Sequence, residues 1–447
     1  MTDTRRPDAE LAAFAADLSY RDLPEDLVRA AERAFVDTVG VTVAGAAEGA
    51  GAVAIETTRA AGGDGPARLV GAEGSASLPD AAFANATAGH ALDFDDVTRG
   101  VWHPSVPIVA PVLAVAEDRG LSGPDAIAAY VAGYEAQCYL ADALLPAHYE
   151  RGWHATATLG AFGAAVAGAV LLDLDERAAR DAVNAAASTP AGLKRNFGSM
   201  TKPMHAGQAA RSGVTAALLA ERGHTAAEGA VGGDRGFLDL YSSEEPPDRA
   251  TMADLGEEWA LRADGLQVKK YPCCYFTHPA IYAAQRLVAE HGLAPDDVEG
   301  IRVTASRGAA DALHYADPGT GLEAKFSMEY CVASAIALDR VGLAAFDDAN
   351  VDDPAVQAVR ERVRFEVDSD LAYDPYRTTV AVETPDGVFE RTQERPPGTP
   401  EDPLSDAELA EKFRMCADRA GVDGDAALSG LDGLRERERA TDALADL

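Results

Sequence analysis

Four histidines stand in settings that suit chemistry. His103 lies in Val101-Trp102-His103-Pro104-Ser105 and His154 in Gly152-Trp153-His154-Ala155-Thr156, each just ahead of a helical segment. His205 follows Lys202-Pro203, and His278 precedes Pro279. A group at the amino end of a helix faces the positive end of its dipole, where anions bind. Histidine titrates near neutrality and serves as acid or base. Any one such histidine, taken alone, is more often structural; four together point to chemistry.

Asp93, Asp95 and Asp96 crowd into Asp-Phe-Asp-Asp. Three carboxylates this close suit a hard cation, and they equally suit caps and surface charge. Asp93 lies ten residues before His103, and the reading favoured is a polar group that orients a base or hydrogen-bonds a substrate. No metal is expected. A thiol nucleophile at Cys273 or Cys274 has no partner evident from spacing.

Two stretches are cleared of acid. No Asp or Glu occurs from Ala182 to Ala220, or from Gly265 to Ala289, although acids make up about one residue in six. The first window holds Lys194, Arg195, Lys202, His205 and Arg211, and the second holds Lys269, Lys270 and His278. Four of the chain's six lysines fall there. Buried helices also lack acids, but an unpaired buried lysine is costly. Ammonium groups suit carboxylates and stabilise charge growing on oxygen, so the windows read as an anion site.

Other chemistries are not indicated. There is no GxSxG, HExxH, GxGxxG or GxxxxGK[ST], so nucleotide cofactors are not expected. The five cysteines form no CxxC, adjacent Cys273 and Cys274 rarely share a tetrahedral metal, and an iron–sulfur cluster normally needs spaced thiolates. Reduced thiols are expected. The net charge of -34 opposes binding to nucleic acid and anionic lipid. No run of about 20 apolar residues spans a membrane, and the polar start Met1 to Glu10 does not resemble a secretory signal. A cytoplasmic protein is expected.

The elements that must hold these groups divide the chain. Residues 1–266 read as a helical domain, with segments near Glu10–Ser19, Pro24–Gly45, Asp80–Ala91, Pro107–Glu117, Pro124–Leu145, Thr158–Leu172, Glu176–Ala187 and Pro203–Arg222. Residues 267–399 read as a smaller α+β lid. There Val298–Ala305, Val363–Val367 and Thr378–Glu383 alternate like strands, and Pro385-Asp386-Gly387 turns into Val388–Thr392. Helices near Pro279–His291 and Ser327–Leu338 lie between them, and Asp347–Asp353 reads as a solvated acidic loop. Helices within 400–447 are expected to complete the first domain. The fold class is mostly α.

These residues resemble the MmgE/PrpD family. His90-Ala91-Leu92-Asp93-Phe94-Asp95-Asp96 followed by His103-Pro104-Ser105 is similar to its HxxDFDD…HPS signature. Thr201-Lys202-Pro203-Met204-His205-Ala206-Gly207 also matches, as does Lys269-Lys270-Tyr271-Pro272-Cys273-Cys274 with Thr277-His278-Pro279-Ala280. The last match is Ala324-Lys325-Phe326-Ser327-Met328-Glu329-Tyr330-Cys331, and all four keep the family order. The resemblance implies a helical domain with an α+β lid, a homodimer, and a lyase or isomerase of small polycarboxylates that uses no metal or organic cofactor. It carries pocket roles to Asp93, His103, His154, Lys202, Lys269 and Tyr330. Two positions depart from the decarboxylase pattern: its threonine after DFDD is Val97, and a lid histidine is Cys274. These departures argue against cis-aconitate decarboxylation.

The expected reaction is therefore dehydration of a 2-methylcitrate-type acid. Epimerisation or decarboxylation of a related acid (iminodisuccinate, cis-aconitate) is the alternative, and a silent polycarboxylate-binding protein is the rival from another class. His103 and His154 would be the acid/base pair, Lys202 would stabilise charge, Tyr330 would donate a proton or hydrogen bond, and Asp93 would orient a histidine. Lys269, His205, Cys274 and Arg195 would bind substrate. The acid-rich, lysine-poor composition reads as adaptation to a salty cytoplasm. Stability and activity are expected to rise with salt into the molar range; a maximum of both in dilute buffer would end that reading.

Overall fold

Small residues set how closely the helices approach. The computed structural model describes residues 5–62, 64–98, 100–242, 247–373 and 375–447. Helices Pro7–Asp17, Glu25–Ala46, Gly49–Ala61, Leu78–His90, Val106–Arg119, Gly123–Leu144, Ala155–Leu171, Glu176–Ala186 and Thr201–Glu221 surround one large apolar core. Their starts follow local chemistry. Ser77 accepts from the Asp80 amide, Asp175 accepts from the Ala178 amide, and Ser122 with Asp125 forms a capping box. Gly120, at φ 65, ends the helix Val106–Arg119.

Two helices of this core carry much of the site. Leu78–His90 and Thr201–Glu221 run in opposite directions, with Lys202 meeting His90 at one end and Arg211 meeting Asp80 at the other. Gly207 lies at their closest approach. A Cβ there would stand 2.1 Å from Thr87 Oγ1 and 2.5 Å from the Phe83 carbonyl oxygen. Ala155–Leu171 packs along the other side of Thr201–Glu221.

The smaller unit is a four-stranded sheet with helices against it. The strands are β3 (Gly300–Ala305), β4 (Val363–Val367), β5 (Thr378–Thr384) and β6 (Gly387–Gln393), in the order β4-β3-β5-β6. Strand β3 runs parallel to β4 and antiparallel to β5, and β5 and β6 form the hairpin. The helices His278–His291 and Met328–Ala337 join these strands in a second core. A two-stranded ribbon, β1 (Ala67–Arg68) with β2 (Ser75–Ala76), belongs to the larger unit.

Helix Asp406–Ala420 returns to pack on Glu25–Ala46, and its Phe413 is buried in the large core. Within Asp347–Asp353 the chain forms a short helix, Asp348–Val351, where a loop was expected. The Asp353 side chain then accepts from the amides of Ala355 and Val356 and starts helix Pro354–Arg360. Those acids are caps as well as surface charge. Helix Gly49–Ala61 was not among the expected segments either. Gly51 is there for close approach: a Cβ would lie 2.0 Å from the Gly45 carbonyl oxygen. Among the described residues, no single helix is long and apolar enough to cross a membrane.

Gly207→Ala tests the packing. It should destabilise the protein by about 1–3 kcal/mol, as overpacking does, and lower activity by moving Lys202 from His90. Wild-type melting and turnover would show that the two helices have slack.

Candidate active site

The Asp-Phe-Asp-Asp segment leaves the end of helix Leu78–His90 and is buried whole. Asp93 takes φ 51, a left-handed conformation that Asp tolerates better than most residues. An antiparallel bridge ties Val97 to Gln267, with amide-to-carbonyl distances of 2.8 and 3.0 Å. That bridge carries Lys269 to Asp93.

Three buried lysines hold three successive carbonyls of the segment. Lys325 Nζ donates to Leu92 O at 2.8 Å, Lys269 Nζ to Asp93 O at 2.8 Å, and Lys412 Nζ to Phe94 O at 2.6 Å. Lys412 also pairs with buried Asp37 at 2.6 Å. A fourth, Lys202, donates to the Asp93 carboxylate at 2.6 Å, and Lys269 reaches its other oxygen at 3.1 Å.

The three aspartates differ in their surroundings. Burial works against charge on Asp93, but Lys202 and Lys269 outweigh it and hold its carboxyl well below the usual range. Burial likewise opposes charge on Asp95, and His103 and His90 outweigh it. Asp96 is pushed well up by burial and by nearby Asp37. It accepts from Ser105 Oγ at 2.6 Å, which also meets the Tyr130 hydroxyl at 2.8 Å.

Asp95 fixes two imidazoles. His90 Nδ1 lies 2.9 Å from Asp95 Oδ1. His103 Nδ1 lies 3.0 Å from Asp95 Oδ2, within ion-pair reach but poorly aligned for a hydrogen bond. The network assigns both rings as Nδ1–H tautomers, which leaves each Nε2 an acceptor. His90 Nε2 accepts from Lys202 at 2.9 Å, and His103 Nε2 stands 3.4 Å from the same ammonium. Burial pushes the His103 imidazole down to about 3, against the pull of Asp95. Its neutral Nε2 is a base.

A second histidine completes the wall. His154 caps helix Ala155–Leu171, and its Nδ1 meets His205 Nδ1 at 3.1 Å. Its Nε2 is buried without a protein partner. Burial, then the Lys202 charge, hold His154 well below its ordinary value, and burial pushes His205 to about 4. Lys202 sits in the first turn of helix Thr201–Glu221, so two positive helix ends meet the cavity.

The cavity has a volume of about 20 Å³ and is lined by Asp93, His103, His154, Lys202, Lys269 and Cys274, with Val97, Trp102, Tyr149, Phe197, Tyr275, Phe276 and Phe326. One end is cationic and the remainder is largely aromatic. Donor atoms of His90, Asp93, Asp95 and His103 lie within 4.8 Å of one another. The Lys202 ammonium stands 2.6 to 3.4 Å from three of these residues. A divalent ion there would meet that charge directly, so the group suits a fixed ammonium rather than a metal.

Six of the nine residues expected at the site are brought together here: Asp93, His103, His154, Lys202, Lys269 and Cys274. His205 supports His154 from behind. Tyr330 is not brought to the cavity. Ser327 caps helix Met328–Ala337, and that start turns Tyr330 into the smaller core, where its hydroxyl donates to the Ala345 carbonyl beside Phe346. Arg195 is exposed on a short turn, Lys194–Asn196, and does not line the cavity. Asp93 serves the lysines, and Asp95 takes the orienting role expected of Asp93. His278 lies outside the cavity, against Tyr271 and Tyr275. His90 and Lys325 were not singled out, although both lie within the quoted motifs, and Asp95 was named only as one of three clustered carboxylates.

With this arrangement in view, the fold and site define a family. Its N-terminal domain model, MmgE/PrpD N-terminal domain, matches residues 9–250, and the MmgE/PrpD C-terminal domain matches residues 271–428. The chain belongs to the MmgE/PrpD family. It is 29% identical over 352 residues to the cis-aconitate decarboxylase of Homo sapiens, covering 76% of this chain and 72% of the relative. Against the cis-aconitate decarboxylase of Aspergillus terreus it is 26% identical over 437 residues, covering 92% and 89%. The Mus musculus protein of the same name is 27% identical over 353 residues, covering 76% and 72%.

The pKa directions have a direct check. Burial lowers both His103 and His154, so neither ring should take up a proton near the ordinary imidazole value of 6.5 in the free protein. Nitrogen NMR of labelled imidazoles reads this; titration of either ring near 6.5 would contradict the desolvated site.

Proposed function

We propose that this protein is a lyase acting on a small polycarboxylate without metal or organic cofactor, removing water from a hydroxy acid of the 2-methylcitrate type. The observation that carries the reading is the meeting of two buried ammoniums, Lys202 and Lys269, with the neutral Nε2 of His103 and the unpartnered Nε2 of His154 in one cavity.

One substrate carboxylate sits at Lys202 and Lys269. His103 Nε2 removes the proton from the adjacent carbon, and negative charge spreads onto the carboxylate oxygens. The fixed ammoniums stabilise that charge as it forms. His154, protonated in the presence of the polyanion, gives its proton to the departing hydroxyl. One C–H and one C–O bond break, a C=C bond forms, and water leaves. The His103 and His154 ring centres are 6.4 Å apart, a separation that suits an acid and a base acting on one small substrate. Val97 and Cys274 leave their part of the lining without a strong hydrogen-bonding group, which favours an alkyl substituent.

Decarboxylation of a cis-aconitate-like acid is the second reading, favoured by the activity for which the relatives are named. It uses the same ammoniums, with CO2 leaving in place of the proton and a histidine protonating the carbanion.

The test offers 2-methylcitrate, citrate, cis-aconitate and iminodisuccinate in high salt with EDTA, followed by NMR. Water loss from 2-methylcitrate is expected. CO2 release from cis-aconitate would install the second reading, α-proton exchange without elimination would indicate an epimerase, and silence on every acid would overturn the lyase reading. His154→Ala should lower kcat by about 10²–10⁴-fold with the fold intact. Lys202→Met should impair both binding and the chemical step, and unchanged kinetics would place the anion site elsewhere.

A further inference from the structure

Besides His154 Nε2, two neutral donors on residues that line the cavity are buried without a protein partner. They are the indole Nε1 of Trp102 and the hydroxyl oxygen of Tyr275. Leaving a buried donor unmade costs about 1–3 kcal/mol, so two in one lining call for a ligand.

Their positions are enforced. Trp102 adopts φ 73, which a bulky residue takes only when its surroundings impose it. Here a tight bridge to Thr98, at 2.7 and 3.2 Å, bends the backbone. The indole is then clamped between Tyr149, at 4.7 Å, and Phe276, at 5.3 Å. Tyr275 packs at 5.0 Å from Tyr376, which also borders Trp102. Lys202 has different aromatic neighbours, Phe197 and Phe326. The two neutral donors therefore occupy a wall of their own. Trp102 also borders a cleft of about 650 Å³, whereas the cavity of about 20 Å³ has room for about one water. A polycarboxylate is seated only when these walls part.

We infer that Trp102 Nε1 and the Tyr275 hydroxyl bind the substrate's second carboxylate, the one not held by Lys202 and Lys269, and so select polycarboxylates over single acids. The assignment rests on the lyase reading for the existence of such a substrate. Neutral donors suit this end because they bind an anion without adding a further buried charge.

The test is binding, not turnover. Propane-1,2,3-tricarboxylate, which carries no hydroxyl to eliminate, and acetate, which has one carboxylate, are titrated into the full chain by NMR. Tyr275→Phe removes only the hydroxyl, and Trp102→Phe removes the indole N–H while keeping a smaller aromatic ring. Each should weaken tricarboxylate binding about tenfold, the loss of one hydrogen bond to a charged group, and leave acetate unchanged. Unchanged tricarboxylate binding in both variants, while Lys202→Met loses both acids, would overturn this receptor and leave the lyase reading standing. Failure of the wild-type protein to bind either acid would overturn both.

Discussion

Three ammonium groups donating to three successive carbonyls, Leu92, Asp93 and Phe94, are the constraint on which the rest depends. A buried irregular loop would otherwise leave those oxygens unsatisfied. Each lysine comes from a different part of the chain: Lys269 from the link between the units, Lys325 from the smaller unit, and Lys412 from the returning C-terminal helix. The loop that carries Asp93, Asp95 and Asp96 is thus the point where both units and the C-terminal helix meet. The family boundary at residue 428 places helix Asp406–Ala420 with the C-terminal domain, while its packing places it with the N-terminal helices.

Lys202 and Lys269, with two imidazoles, sort the charges of the site. Asp93 is held as an anion by ammoniums, and Asp95 is held by imidazole N–H groups. Asp96, which reaches neither, is driven toward the neutral form. Three neighbouring carboxyls in one buried segment thereby avoid mutual repulsion. The arrangement leaves the histidines neutral, as a base must be before it takes a proton.

Much of this was legible in the residues. Helical spacing marked the long helices, and alternation marked Val363–Val367 without error. The parallel pairing of β3 with β4 was not legible, because more than fifty residues separate strands that meet only through tertiary packing. The acid-free windows found Lys202 and Lys269 but also Lys194 and Lys270. Lys194 lies over the Tyr149 ring at 3.7 Å, and Lys270 pairs with Glu408 near the surface. Lys325 and Lys412 escaped because they have acids close in sequence, and a window along the chain does not sense neighbours in space. Tyr330 was placed by motif, but helix phase, set by the Ser327 cap, decided where its ring went.

The bond from Lys412 to the Phe94 carbonyl spans 318 residues. On the ribosome, where chains grow at about 5–20 residues per second, the second partner is made about 16 to 64 seconds after the first. The acidic loop therefore spends most of synthesis without one of its cations. Nascent chains carry every residue that lines the cavity, the last being Phe326, well before Lys412 can close the set of bonds that holds the loop.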